Sequence, residues 1–148
     1  MERLNKKIKV ASITALLLLT AACSSMERRT GGITEKSTDP LTGAQEVPPV
    51  STTASGRSTI AVASDRTVSG SVIITGMEAT AAHIHQGAKG SNGPVIVPLA
   101  KTSATSFTVP PGAKLTDAQY AAYKTGDLYV NVHSAAHPGG EIRLQLNP

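Results

Sequence analysis

The sequence is poor in cysteine and in aromatic residues. It has one cysteine, Cys23, no tryptophan, and only 3% aromatic residues. A lone cysteine excludes an internal disulfide. The scarcity of aromatic side chains, together with the absence of a basic cluster, argues against a nucleic-acid-binding surface. Four of the 14 basic residues and one of the 10 acidic residues lie in the first 22 positions, which leaves the remainder of the chain with a net charge of about +1.

Sequence signatures of the common enzyme classes are also missing. There is no P-loop and no dinucleotide-binding fingerprint. Ser134 follows His133 directly but lacks the flanking glycines of a nucleophile elbow. No pair of acidic residues has a spacing that suits acid–base catalysis. These absences favour a binding module over an enzyme, although they leave an enzymatic role open.

The N-terminus has the features of an export signal. Three lysines and one arginine precede an apolar run from Val10 to Ala22, which is too short to span a membrane. Residues 1–22 are therefore predicted to be a signal peptide. The end of this run, Leu19 to Cys23, resembles a bacterial lipoprotein box, in which Thr20 stands where leucine is usual. The resemblance implies cleavage before Cys23, lipidation of Cys23, and anchoring in the bacterial cell envelope, outside the cytoplasm.

The remaining chain divides into a tether and a domain. Residues 23–40 are polar and rich in glycine, serine and threonine, which predicts a flexible tether. Residues 41–148 contain many short segments in which apolar and polar residues alternate, as in half-buried strands. Thr116 and Gln119 form a capping box before a helix near residues 117–124. We expect an all-β domain, a small antiparallel and Greek-key-like β-sandwich with one short helix.

The last two predicted strands form the most informative hairpin. Residues 128–133 and 141–146 alternate strictly, so that each strand has one apolar face and one polar face. A hairpin symmetric about His137 would set the following polar residues opposite one another: His133 and Glu141, Asn131 and Arg143, and Tyr129 and Gln145. One face of the hairpin can therefore be buried, while the other can hydrogen-bond, titrate or bind a metal.

All four histidines fall in two segments that we expect to share this polar face. His83 and His85 lie on either side of Ile84, which must face the core, and so both point to the opposite face. His133 lies on the polar face of the closing hairpin, and His137 follows in its loop. Four imidazoles without a nearby thiolate predict a transition-metal site, with copper favoured and zinc as the alternative. Three neighbouring residues are candidates to support the ligands, namely Asn131, Glu141 and Arg143.

Two other interpretations stay open. The histidines can instead belong to a polar network in which Glu46 or Glu141 and Arg143 satisfy one another. Taken alone, Arg143 suits a solvated sheet face. The domain would then be a structural or binding module that contacts another envelope component through its polar face or through the loop at residues 87–94. The sequence predicts no particular protein partner.

Four blocks of the sequence resemble the CHRD domain, a module first described as a repeat in chordin. They comprise residues 41–50, 82–95, 128–133 and 138–143, in that order. The resemblance implies a β-rich extracytoplasmic module, and it supports fold and location more than activity. The paired histidines on one strand, with another histidine on a later strand, are also similar to the copper ligands of copper/zinc superoxide dismutases. The cysteine pair and the zinc loop of that family are missing, so dismutase-like copper chemistry is the less favoured alternative.

Overall fold

The computed structural model describes residues 39–148, which form an antiparallel β structure with one α-helix. The predicted signal peptide, Cys23 and almost all of the tether lie outside these residues. The elements are β1 (Leu41–Thr42), a 3-10 helix (Gly43–Gln45), β2 (Ser55–Ser58), β3 (Ala61–Val62), β4 (Val68–Ser69), β5 (Ser71–Thr75), β6 (Ala79–Gln86), β7 (Val95–Pro98), β8 (Ala100–Ser103), β9 (Ser106–Thr108), α1 (Asp117–Lys124), β10 (Leu128–Ser134) and β11 (Ile142–Leu146).

Nine of these strands form one sheet that almost closes on itself. Their order is β7-β6-β10-β11-β1-β2-β5-β9-β8, and β3 and β4 pair separately. The two ends of the sheet, β7 and β8, are consecutive in the chain and are joined through Leu99, whose amide donates to Ala82 O of β6 at 3.0 Å. One continuous segment therefore pairs with β6 through its first half and with β9 through its second half.

The core lies inside this curved sheet and is lined by the apolar faces of the strands. Val72 and Ile74 of β5, Ile84 of β6, and Val130 and Val132 of β10 are almost completely buried. Burial of each such side chain contributes about 1.5–3 kcal/mol to folding. Because Ile84, Val130 and Val132 occupy the core, the alternation of side chains turns the intervening polar residues to the outer face of β6 and β10.

The structure confirms the predicted all-β class and the single helix. Helix α1 begins after Thr116, whose hydroxyl accepts from the amide of Gln119 while the Gln119 side chain accepts from the amide of Thr116. The segment from Ser55 to Thr75 folds back on itself in two ladders, β2–β5 and β3–β4. A 3-10 helix follows the two residues of β1.

Within residues 39–148, no helix is both long enough and apolar enough to cross a lipid bilayer.

Candidate metal centre

Strands β6, β10 and β11 are neighbours in the sheet, and polar residues on their outer face lie opposite one another. His85 and Gln145 flank Tyr129 on its two sides, and His83 and Arg143 flank Asn131. This confirms the predicted Asn131–Arg143 and Tyr129–Gln145 pairs. His133 lies opposite Ala81, two residues before His83, so that its ring reaches His83 diagonally.

Three of the four histidines form a compact cluster on this face. One ligand nitrogen from each of His83, His85 and His133 lies within 4.8 Å of the others. Nδ1 of His83 is 3.0 Å from Nε2 of His133, so these two rings share a hydrogen bond. The ring centroids of His83 and His85 are 5.7 Å apart. The spacing that strand parity predicted is therefore present for three imidazoles.

Backbone carbonyls from two loops orient two of these rings. Nδ1 of His85 donates to Gly93 O at 2.9 Å, and Nδ1 of His133 donates to Pro138 O at 2.9 Å. A hydrogen bond at Nδ1 fixes the tautomer in which Nε2 carries the free lone pair, as is common for metal-binding histidines. Nε2 of His85 is buried and has no hydrogen-bond partner within the described part of the chain. The site thus presents a lone pair that no protein donor satisfies.

The electrostatics of the cluster favour neutral imidazoles. Burial lowers the pKa of His83 below its ordinary value of 6.5, and the proximity of His133 and His85 lowers it further. Burial also lowers the pKa of His133, against the opposing effect of its hydrogen bond to Pro138 O. Neutral imidazole is the form that binds metals, and so both rings are available as ligands near pH 7.

A stack of three side chains stands behind the cluster. The Tyr129 ring lies parallel to that of His85, with centroids 4.8 Å apart and an interplanar angle of 7°. The Arg143 guanidinium lies over Tyr129, 3.4 Å from the ring centroid. Arg143 is only 1% exposed, so its interpretation as a solvated residue is wrong. The loop at residues 87–94 covers it and accepts its hydrogen bonds through Ala88 O and Asn92 Oδ1.

The remaining predicted site residues have other neighbours. The imidazole of His137 is outside the three-histidine group among the described residues. Glu141 does not pair with His133 as predicted, because the ladder ends at Val132 and Ile142 and the amide of Glu141 donates to Val132 O. Burial raises the pKa of Glu141, but hydrogen bonds from the hydroxyls of Ser134 and Thr52 outweigh it, and the pKa lies below the usual 4.5.

Asn131 stands between the histidine cluster and a second polar group. Its Nδ2 donates to Gly139 O at 3.5 Å, and both this nitrogen and Glu46 Oε1 lie against Gly140. Burial raises the pKa of Glu46 from 4.5 to about 7, although the charge of Arg143 acts in the opposite direction. The carbonyls of Gly93 and Pro138, rather than Asn131 or Glu141, therefore orient the imidazoles.

Sequence reasoning missed the parts of the site that loops supply. Every residue has a carbonyl oxygen, and the stacking of rings depends on the folded structure. The alternation of side chains along a strand therefore could not predict the contacts of Gly93 and Pro138 or the stack on Tyr129. One available signal was the density of glycine in both loops. Gly93 passes so close to Gln86 O that a Cβ would collide with it. Gly140 has a φ of +130°, and a Cβ there would lie 2.6 Å from both Asn131 Nδ2 and Glu46 Oε1.

Comparison with known proteins supports the family suggested by the sequence blocks. No curated protein and no solved structure matches the chain. The CHRD domain profile matches residues 38–146, which is almost all of the part described above. The chain therefore belongs to the CHRD-domain family.

Proposed function

We propose that this CHRD domain binds a transition-metal ion through His83, His85 and His133, with copper favoured over zinc. The observation that carries the proposal is the buried Nε2 of His85, which has no hydrogen-bond partner among residues 39–148 and belongs to one of the three clustered histidines. A buried acceptor without a partner costs about 1–3 kcal/mol, and a metal ion would remove that cost. His137 remains outside this ligand set.

The donor set determines the preferred metal. Three neutral nitrogens without a thiolate suit Cu(II), Zn(II) and Ni(II), and among these Cu(II) binds nitrogen ligands most tightly. Metal–nitrogen bonds of about 2.1 Å require ligand nitrogens roughly 3–4 Å apart. The three ligand nitrogens here lie within 4.8 Å of one another, which is close to that spacing. Three protein ligands also leave a coordination position for water or a small ligand.

Titration calorimetry of the full-length chain with Cu(II) and Zn(II) tests the site. We expect His85→Ala and His133→Ala to weaken Cu(II) binding by at least about tenfold, because each removes one of only three ligands. His137→Ala is the matched control and should bind as the wild type does. Cu(II) binding should also weaken below about pH 6, where protons compete for the imidazoles. Equal binding by the wild type and all three variants would refute this ligand set.

A second candidate function is a metal-free binding module, and one contact favours it. The hydrogen bond between Nδ1 of His83 and Nε2 of His133 engages one nitrogen of each ring without an ion. Carbonyl hydrogen bonds to His85 and His133 also occur in purely structural histidines, but here they engage Nδ1 and leave Nε2 of His85 unpaired. Failure of Cu(II) and Zn(II) to bind would favour the metal-free module and its contact with another envelope component.

The proposal includes a lipid anchor at Cys23 in the bacterial cell envelope. Its support is the sequence alone, namely the apolar run that ends at Ala22 and the lipoprotein-type residues that precede the cysteine. Two acyl chains on one terminus would hold the domain stably at a membrane. Replacement of Cys23 by alanine should move the protein from the membrane fraction to the soluble fraction of cells. Unchanged membrane association would contradict the anchor.

A further inference from the structure

A pocket of about 350 Å³ lies beside the histidine face, on the far side of Arg143. Its wall is formed by the 3-10 helix and the residues that follow it, by the loop after β6, and by β11. The mouth is largely apolar, with Ala44, Val47 and Pro49 on one side and Gly90 on the other. The volume is within the range of pockets that bind small ligands.

The floor of this pocket holds a buried carboxyl group. Glu46 is only 5% exposed, and its Oε1 has no hydrogen-bond partner within residues 39–148. The groups around Glu46 come from four elements. Arg143 approaches it from β11, Asn131 from β10, Lys89 from the loop after β6, and His137 across a second cavity that Glu46 also lines. A ligand in this pocket therefore meets one acidic residue, Glu46, and two cationic residues, Arg143 and Lys89.

Arg143 is a buried cation without an ion-pair partner in the described residues. The salt bridge found there joins Arg66 and Asp117, at a distance from this pocket. Three N–H groups of Arg143 donate to Asn92 Oδ1, Ala88 O and Gln145 Oε1. A guanidinium has five such groups, so two remain, on Nε and Nη1. Buried charges are normally paired, because removal of an ion from water costs several kcal/mol.

We propose that this pocket binds a small organic carboxylate with an apolar body. The ligand carboxylate would neutralise Arg143 at the floor and Lys89 at the rim, and its second oxygen would accept a hydrogen bond from the protonated carboxyl of Glu46. The apolar body would occupy the mouth between Val47 and Gly90. The pocket does not include the three histidines, so this binding does not require the metal.

When Glu46 is protonated, the pocket is complementary to a carboxylate ligand. Because the pKa of Glu46 is raised to about 7, a substantial fraction of its carboxyl group is neutral near pH 7. A bound carboxylate favours the neutral form further, so ligand binding takes up a proton. Between about pH 6 and about pH 8 the protonated fraction falls from about nine tenths to about one tenth, and affinity should weaken by about tenfold.

Hexanoate is a suitable probe, and hexylamine and hexanol are matched controls with the same apolar body. The metal-free full-length chain would be titrated with each compound by calorimetry and followed by amide NMR. We expect hexanoate to bind at least about tenfold more tightly than either control at about pH 6, since only hexanoate can pair with Arg143. The shifted amides should be those of Ala44, Val47 and Gly90. Equal binding of the three compounds, or no binding of hexanoate, would overturn the proposal.

Two variants and one control variant distinguish this pocket from nonspecific attraction of anions. Glu46→Gln keeps a hydrogen-bond donor but cannot titrate, so it should bind hexanoate with almost no pH dependence. Lys89→Met should weaken binding severalfold, whereas Lys124→Met, which removes an exposed charge on helix α1, should leave it unchanged. A tenfold pH dependence that persists in Glu46→Gln, or an equal loss in both lysine variants, would contradict the assigned floor and rim.

Discussion

The pH dependence of folding stability should be strongly changed by Glu46→Gln. Burial raises the pKa of Glu46 from 4.5 to about 7 in the folded domain. A carboxyl whose pKa is raised on folding stabilises the protein most below its unfolded pKa, and this contribution is lost as the pH rises through the folded pKa. At about 1.36 kcal/mol per pKa unit, the wild type should lose roughly 3 kcal/mol between about pH 4.5 and about pH 8.

Glutamine has the shape of the protonated acid but no titration, so the variant should not suffer this loss. Urea unfolding of both proteins across this pH range gives the difference between their free energies of unfolding. Other titrating groups contribute equally to both proteins and cancel in the difference. In particular, the lowered pKa values of His83 and His133 make stability fall below about pH 6.5 in both.

The variant should therefore become more stable relative to the wild type as the pH rises, by about 2–3 kcal/mol at pH 8. Glu78→Gln removes one exposed carboxylate and controls for the change in net charge. A difference curve that stays flat for Glu46→Gln would refute the inference that Glu46 is buried in a form that resists ionisation. A curve of opposite slope would mean that Arg143 stabilises the ionised form more than burial destabilises it.

Three further substitutions test individual contacts in the structure. Arg143→Lys should weaken Cu(II) binding by about tenfold, because lysine cannot lie flat on Tyr129 and hold it against His85; unchanged affinity would show that the stack does not position the ligand. Gly140→Ala should lower the free energy of unfolding by about 2–4 kcal/mol in urea, since its φ of +130° and two 2.6 Å contacts leave no room for a methyl group. Thr116→Ala should cost about 1 kcal/mol through loss of the helix cap, and no measurable loss would contradict the capping box.

Strand parity was sufficient to predict which side chains share a face. Ile84, Val130 and Val132 are apolar residues in alternating segments, and their burial fixed the orientation of His83, His85 and His133. The helix cap was equally accessible, because it depends on residues three positions apart. These predictions succeeded because each depends only on neighbouring residues and on the regular spacing of side chains within one strand or helix.

The features that sequence did not reveal depend on loops that return to the sheet. Parity marked Arg143 as facing away from the core, but it could not show that the loop at residues 87–94 would cover that face and bury it. The break in register at Glu141 follows from the backbone of Gly140, whose positive φ is not specified by the identity of its neighbours. Strand β8 was missed because all four of its residues are exposed, and so it has no apolar alternation.

The continuity of β7 and β8 also affects how copies of this domain meet one another. A sheet that ends in exposed strands offers unpaired amide and carbonyl groups to another chain, which is a common route to aggregation. Here both ends of the sheet belong to one bent segment that carries Pro98, which has no amide hydrogen to donate. Beyond the bend, Lys101 directs its ammonium group back to Ala79 O at 2.6 Å. The segment is therefore a poor template for edge-to-edge pairing, and we expect many copies to be able to crowd together without forming fibres.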